Sequence, residues 1–182
     1  MVEKDALRRA LKAKTLQYVG TDFTEEDRLT CSALAESELY RGCDTLFAFH
    51  PLSDEVDITP LLEDAIRERQ LALPKTEDDR ALTFFIVTDL SALRRGRWAI
   101  TEPGEGAIIT PAPGDLMIIP ALAYDRCGQR LGRGKGYYDR YLQEYNSAKT
   151  VGVCRSYQLL ERIPTQAWDR AVDHVLCGGM FY

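Results

Sequence analysis

The sequence predicts an α/β fold, a single domain spanning residues 1–182 in three αβα layers around a mostly parallel central sheet. Three observations carry this expectation. Several short apolar runs lack polar alternation, as strands buried on both faces do. Segments of helical period lie between them, the alternation that builds a parallel sheet. At 182 residues, the chain has the size of one well-buried core.

The elements follow in order. From Val2 to Leu16, Leu7 and Leu11 stand one turn apart while Lys4, Arg8 and Lys12 recur every four residues, so the cations share a stripe of an amphipathic helix. Thr24 followed by Glu25, Glu26 and Asp27 announces a second helix over 25–41, stopped at Gly42. Residues 45–49 read as a strand, and Thr59-Pro60 opens a helix over about 60–70. Further strands are expected at 71–73, 82–87, 116–119, 150–154 and 174–177, with helices near 136–145 and 156–162. The Gly/Pro-rich stretch 102–115 reads as an internal loop. Ligand sites in such folds gather at the carboxyl ends of the strands.

Composition narrows the function classes. A net charge of −5 lacks the basic excess of a nucleic-acid binder, so an anion site has to be local. The five cysteines form neither a C-x-x-C pair nor an even disulfide set, which suits a reducing cytoplasm. No apolar run has the length of a signal core or a membrane span, so neither export nor a membrane partner is expected.

Gly132-Arg133-Gly134-Lys135-Gly136 alternates three glycines with two cations, and Tyr137-Tyr138-Asp139 then begins a helix. Glycine backbone admits an anion closely, and a helix amino terminus adds about 0.3–1 kcal/mol of favourable dipole interaction. The segment is not a Walker A loop, because Gln129 and Gly136 stand where that motif needs Gly and Ser/Thr. Nor is it a dinucleotide fingerprint, since Tyr137 replaces the third glycine. From spacing alone two readings stand, a phosphate cradle or a flexible glycine turn with solvated cations.

Pro120-Ala121-Leu122-Ala123-Tyr124-Asp125 and the run Gly128–Arg140 resemble the signature of 5-formyltetrahydrofolate cyclo-ligases, also called methenyltetrahydrofolate synthetases. Asp54-Glu55-Val56-Asp57, Leu73-Pro74-Lys75, Trp98–Pro103 and Gly152-Val153-Cys154 agree in order and spacing, so the resemblance extends over nearly the whole chain. It implies conversion of 5-formyltetrahydrofolate and ATP, with Mg2+, into 5,10-methenyltetrahydrofolate, ADP and phosphate.

The resemblance also implies roles. Lys4, Arg8 and the segment Arg130, Leu131, Gly132, Arg133, Gly134, Lys135, Gly136, Tyr137 and Tyr138 would contact ATP, with Arg133 and Lys135 the catalytic cations. Glu55, Trp98 and Tyr137 would contact the folate, together with Arg133, Gly134, Lys135 and Gly136. His50 stands where family members often carry an apolar residue and would form a hydrogen-bonding pocket wall. Asp139 and Asp173 match the magnesium positions. Without the resemblance, Lys4 and Arg8 read first as a solvated basic face and each Asp as a cap or surface acid, while Trp98 reads also as core. A monomer is expected. Two other classes stay open at this point: a sugar-phosphate enzyme of related fold, and a non-catalytic nucleotide or folate sensor.

Overall fold

The computed structural model describes residues 2–77, 81–96 and 100–182. Its helices are α1 (Val2–Leu16), α2 (Thr24–Glu36), α3 (Glu38–Arg41), α4 (Thr59–Glu68) and α5 (Tyr137–Glu144). Its strands are β1 (Thr45–Phe47), β2 (Gln70–Thr76), β3 (Leu82–Val87), β4 (Arg94–Arg95), β5 (Thr101–Glu102), β6 (Ile108–Ile109) and β7 (Leu116–Ile119). They continue with β8 (Ala123–Asp125), β9 (Arg130–Leu131), β10 (Lys149–Cys154), β11 (Leu159–Leu160), β12 (His174–Cys177) and β13 (Met180–Phe181).

A central sheet runs in the order β13-β12-β10-β7-β1-β2-β3-β6. The interior strands β12, β10, β7, β1 and β2 are parallel, and only β13, β3 and β6 join antiparallel, so the expected mostly parallel sheet is found. The missing alternation has its reason here: both faces of these strands are covered. Leu46 of β1 with Leu116 and Ile118 of β7 packs against Leu34, Tyr40 and Leu62 of α2, α3 and α4. Phe47, Met117 and Ile119 point the other way, toward Tyr141 and Leu142 of α5. Burying each such Leu, Ile or Phe contributes about 1.5–3 kcal/mol, so truncating Leu62 or Phe47 would open the layer interface.

Sequence and structure differ at several places. The helix expected over 25–41 breaks at Ser37, whose extended backbone (φ −72°, ψ 150°) lets its hydroxyl donate to Leu34 O and accept from Tyr40 N, capping α3. The helix expected near 156–162 is a single 3-10 turn, Ser156–Gln158, followed by β11. The expected loop 102–115 contains β6, which pairs with β3 at the sheet edge. A small second sheet, β11-β8-β9, was not signalled by periodicity, because β9 and β11 each have two residues.

That small sheet positions the glycine-rich segment. The β8–β9 hairpin turns on Asp125, whose Oδ1 accepts from Cys127 N and Gln129 N at 3.0 Å each, and on Gly128 at φ +79°. A Cβ at Gly128 would stand 2.3 Å from Val172 O, so the turn also needs glycine for space. Leu131 packs behind it with Leu11 of α1, Ala123 and Ile163, fixing α1 beside the hairpin.

Candidate active site

β1, β2 and β7 run parallel, and the last residues of β2, which extends beyond its partner β1, wall one cavity of about 410 Å3 together with the chain leaving β1 and β7. β1 leads into Phe49, His50 and Leu52, β2 contributes Pro74 and Thr76, and β7 leads into Pro120 and Ala121. Arg130, Gly132, Arg133 and residues 135–139 line the facing side. One wall is therefore mostly apolar, with a few polar groups set in it, and the other carries Arg130, Arg133 and Lys135.

The glycine segment adopts the conformation its composition permits. Gly134 (φ +92°) and Gly136 (φ +70°) take left-handed backbone, and Gly136 is the cap from which α5 starts. Arg8 lies over this turn: its Nε donates to Gly132 O at 2.9 Å, and a Cβ at Gly134 would meet its guanidinium at 3.4 Å. The structure thus brings Arg8 to the segment. Lys4 is buried instead against Asp169, at 2.5 Å, and does not line the cavity. Leu131 shows only its backbone to the hairpin, since its side chain is in the core.

Arg133 joins the two sides. Its Nη2 donates to Asp54 Oδ1 at 2.8 Å and to Glu55 Oε1 at 3.0 Å. Glu55 is 7% exposed, and its second oxygen accepts from Leu52 N at 3.0 Å. Burial raises the Glu55 pKa above the ordinary carboxylate value, and the Arg133 charge and the Leu52 N–H only partly offset it. Asp54, which sequence reasoning passed over, was legible only as the neighbour of Glu55.

Arg130 is 6% exposed and ion-paired with Asp139. Its Nη1 and the Tyr138 hydroxyl are buried without a hydrogen-bond partner among the described residues, although both residues line the cavity. Buried orphan donors of this kind suit an oxygen-rich ligand. Burial also raises the Tyr138 pKa, so the phenol keeps its proton to donate.

The two aspartates assigned to magnesium part company. Asp139 lines the cavity, with one carboxylate oxygen toward Arg130. Asp173 precedes β12 at the amino end of the parallel strands, where its Oδ2 accepts from Thr150 N and Oγ1 at 2.8 Å each. The structure does not bring it to the cavity, because an acceptor is needed where β10 begins. No group of three or more His, Cys, Asp or Glu among the described residues could hold a metal ion. The donor set fits a hard cation only in the manner of magnesium nucleotides, with one protein carboxylate and the remaining ligands from phosphate and water.

His50 and Tyr137 line the cavity as expected of wall residues, whereas Trp98 lies outside the described residues. Glu102 was missed as a wall residue: it is 5% exposed and accepts from Thr76 N and Oγ1 at 3.1 and 2.5 Å. No helix among the described residues is long and apolar enough to cross a membrane.

Known proteins resemble this chain in sequence and fold. A mouse 5-formyltetrahydrofolate cyclo-ligase is 28% identical over 194 residues, covering 96% of this chain and 95% of that protein. The Escherichia coli K12 5-formyltetrahydrofolate cyclo-ligase is 35% identical over 132 residues, 69% of this chain and 72% of its own length. The solution structure of an Aquifex aeolicus 5,10-methenyltetrahydrofolate synthetase superposes with a TM-score of 0.80 at 33% identity, covering 98% of this chain and 91% of that one. The family model of the 5-formyltetrahydrofolate cyclo-ligases matches residues 1–178, and the chain belongs to that family.

Proposed function

We propose that this chain closes 5-formyltetrahydrofolate to 5,10-methenyltetrahydrofolate, coupled to cleavage of ATP to ADP and phosphate. The observation that carries the reading is Arg133, which belongs to the glycine-rich segment and yet hydrogen-bonds the buried Glu55 across the cavity. Nucleotide phosphates and folate would meet at that guanidinium.

The formyl oxygen is a poor leaving group. It attacks the γ-phosphorus and the bond to ADP breaks; N10 then adds to the activated carbon and loses its proton, and the C–O bond breaks to release phosphate. This chain's share is positioning and charge. Arg133 and Lys135 would neutralise charge on the transferring phosphoryl group, while Arg130 Nη1 and the Tyr138 hydroxyl supply donors to ligand oxygens. Arg8 would hold the turn over the phosphates. Glu55, fixed by Leu52 N and Arg133, would accept from the N–H groups of the pterin, and His50 and Tyr137 would wall it. A magnesium ion accompanying ATP would be held by Asp139 and would add Lewis-acid neutralisation of the phosphates. We assign no magnesium contact to Asp173.

A mixture of the protein, 5-formyltetrahydrofolate and MgATP is expected to develop the near-ultraviolet absorbance of the methenyl product only when ATP is present. A sensor that binds without turnover would give no such signal, and that result would remove the enzyme assignment. We also propose a cytoplasmic monomer of one domain, which size-exclusion chromatography with light scattering tests at its oligomeric part.

A further inference from the structure

We infer that Gln158 is a positioning residue for the folate side of the site: it sets the Asp54–Glu55 corner without touching a ligand. This inference rests on the reading of Glu55 as the folate contact.

Residues 51–55 form no helix or strand, and the bond from Glu55 N to Leu52 O at 3.0 Å closes the turn on itself. What fixes this corner to the sheet comes from the 3-10 turn after β10. Gln158 is 3% exposed, and its Nε2 donates to Asp54 O at 3.0 Å. Its Oε1 accepts from Arg155 N at 3.0 Å. The amide orientation is dictated by these partners, since a backbone N–H only donates and a carbonyl only accepts.

Arg155 anchors the brace in turn. Its Nε and Nη2 donate to Asp27 of α2 at 3.2 and 2.9 Å, and its Nη1 donates to Ser53 O at 3.4 Å. One buried residue from a distant part of the chain therefore holds the backbone carbonyl of Asp54, whose side chain and whose neighbour Glu55 both meet Arg133. Binding geometry has to be held to about 0.5 Å, and a corner outside regular structure depends on such external bonds.

The test uses Gln158→Glu and Gln158→Met in the full chain, with Glu55→Gln as the companion variant. Gln158→Glu keeps the acceptor for Arg155 N, and its ionised carboxylate cannot donate to Asp54 O and opposes that carbonyl; Gln158→Met removes both bonds at similar volume. Dissociation constants for 5-formyltetrahydrofolate and for ATP are measured separately by calorimetry, alongside Tm. Loss of the one positioning bond in Gln158→Glu is expected to weaken folate binding roughly fivefold while ATP binding stays within about twofold. Gln158→Met is expected to show the same split with a lower Tm. A merely structural role would lower Tm and leave both constants of the folded protein unchanged, or move them together, and either result overturns the inference. If Glu55→Gln binds folate as the parent does, the Glu55 reading fails and the inference falls with it. If Glu55→Gln weakens folate binding and Gln158→Glu does not, only the positioning role is lost.

Discussion

At the amino ends of the parallel strands Asp115 and Asp173 accept hydrogen bonds from backbone N–H groups, whereas at the carboxyl ends Asp139 faces a guanidinium group and Glu55 faces one while also accepting from Leu52 N. Asp115 takes Thr45 N at 3.0 Å and Ala112 N at 2.8 Å, and Asp173 takes Thr150 N and Oγ1. Glu55 meets Arg133 and Asp139 meets Arg130. The same residue type serves opposite needs. A strand that begins beside its neighbours leaves N–H groups that require an acceptor, while the loops leaving the carboxyl ends enclose a cavity whose charge balance a ligand can enter. Position along the sheet, rather than residue identity, separates the acid that holds the fold from the acid that lines the cavity.

The comparison is strongest where it predicts loss of activity without loss of structure. Lys135→Ala removes a charge at the carboxyl end and no core contact, so turnover should fall roughly 100- to 1000-fold with the far-ultraviolet spectrum unchanged. Equal turnover in that variant would detach the glycine segment from the chemistry. Next comes Asp139→Asn, expected to reduce turnover at least about tenfold and to raise the magnesium concentration needed for half-maximal rate. Asn is the informative substitution, since it keeps an oxygen acceptor for the buried Arg130 that Ala would remove.

Asp173→Ala reverses the pattern. Turnover per folded molecule should stay within about twofold, whereas loss of the acceptor at Thr150 should cost about 1–3 kcal/mol, seen as a lower Tm. A large fall in turnover with Tm unchanged would return Asp173 to the site and break the division between the two sheet ends.

The contrast also explains what could be read beforehand. The sheet was legible because interior strands are covered on both faces and carry unbroken apolar runs, as at Leu116–Ile119. The glycine segment was legible because left-handed backbone, found at Gly134 and Gly136, restricts residue type within a short span. Asp173 was assigned by its match to a motif, but the fold placed it beside Thr150, a long-range pairing that no local pattern encodes. Gln158 and Arg155 were invisible for the same reason, being 104 and 128 positions from Asp54 and Asp27. Helix boundaries failed where a hydroxyl competed for the backbone, as at Ser37.

The smallest effect concerns stability and tests the carboxyl end from its other side. Because burial holds the Glu55 pKa above its ordinary value of 4.5, the folded state binds more protons than the unfolded state between that value and the raised one. Stability contributed by this group is therefore full at pH below 4.5 and lost as pH climbs through the raised value. Glu55→Gln keeps the neutral form at every pH, so thermal unfolding across a pH series should show a flatter decline in the variant and a slightly higher Tm near neutrality. Folate affinity should fall in the same variant. A lower Tm at neutral pH would mean that the Arg133 pair outweighs the burial of the charge, and Glu55 would then belong with Asp115 and Asp173 as a support of the fold.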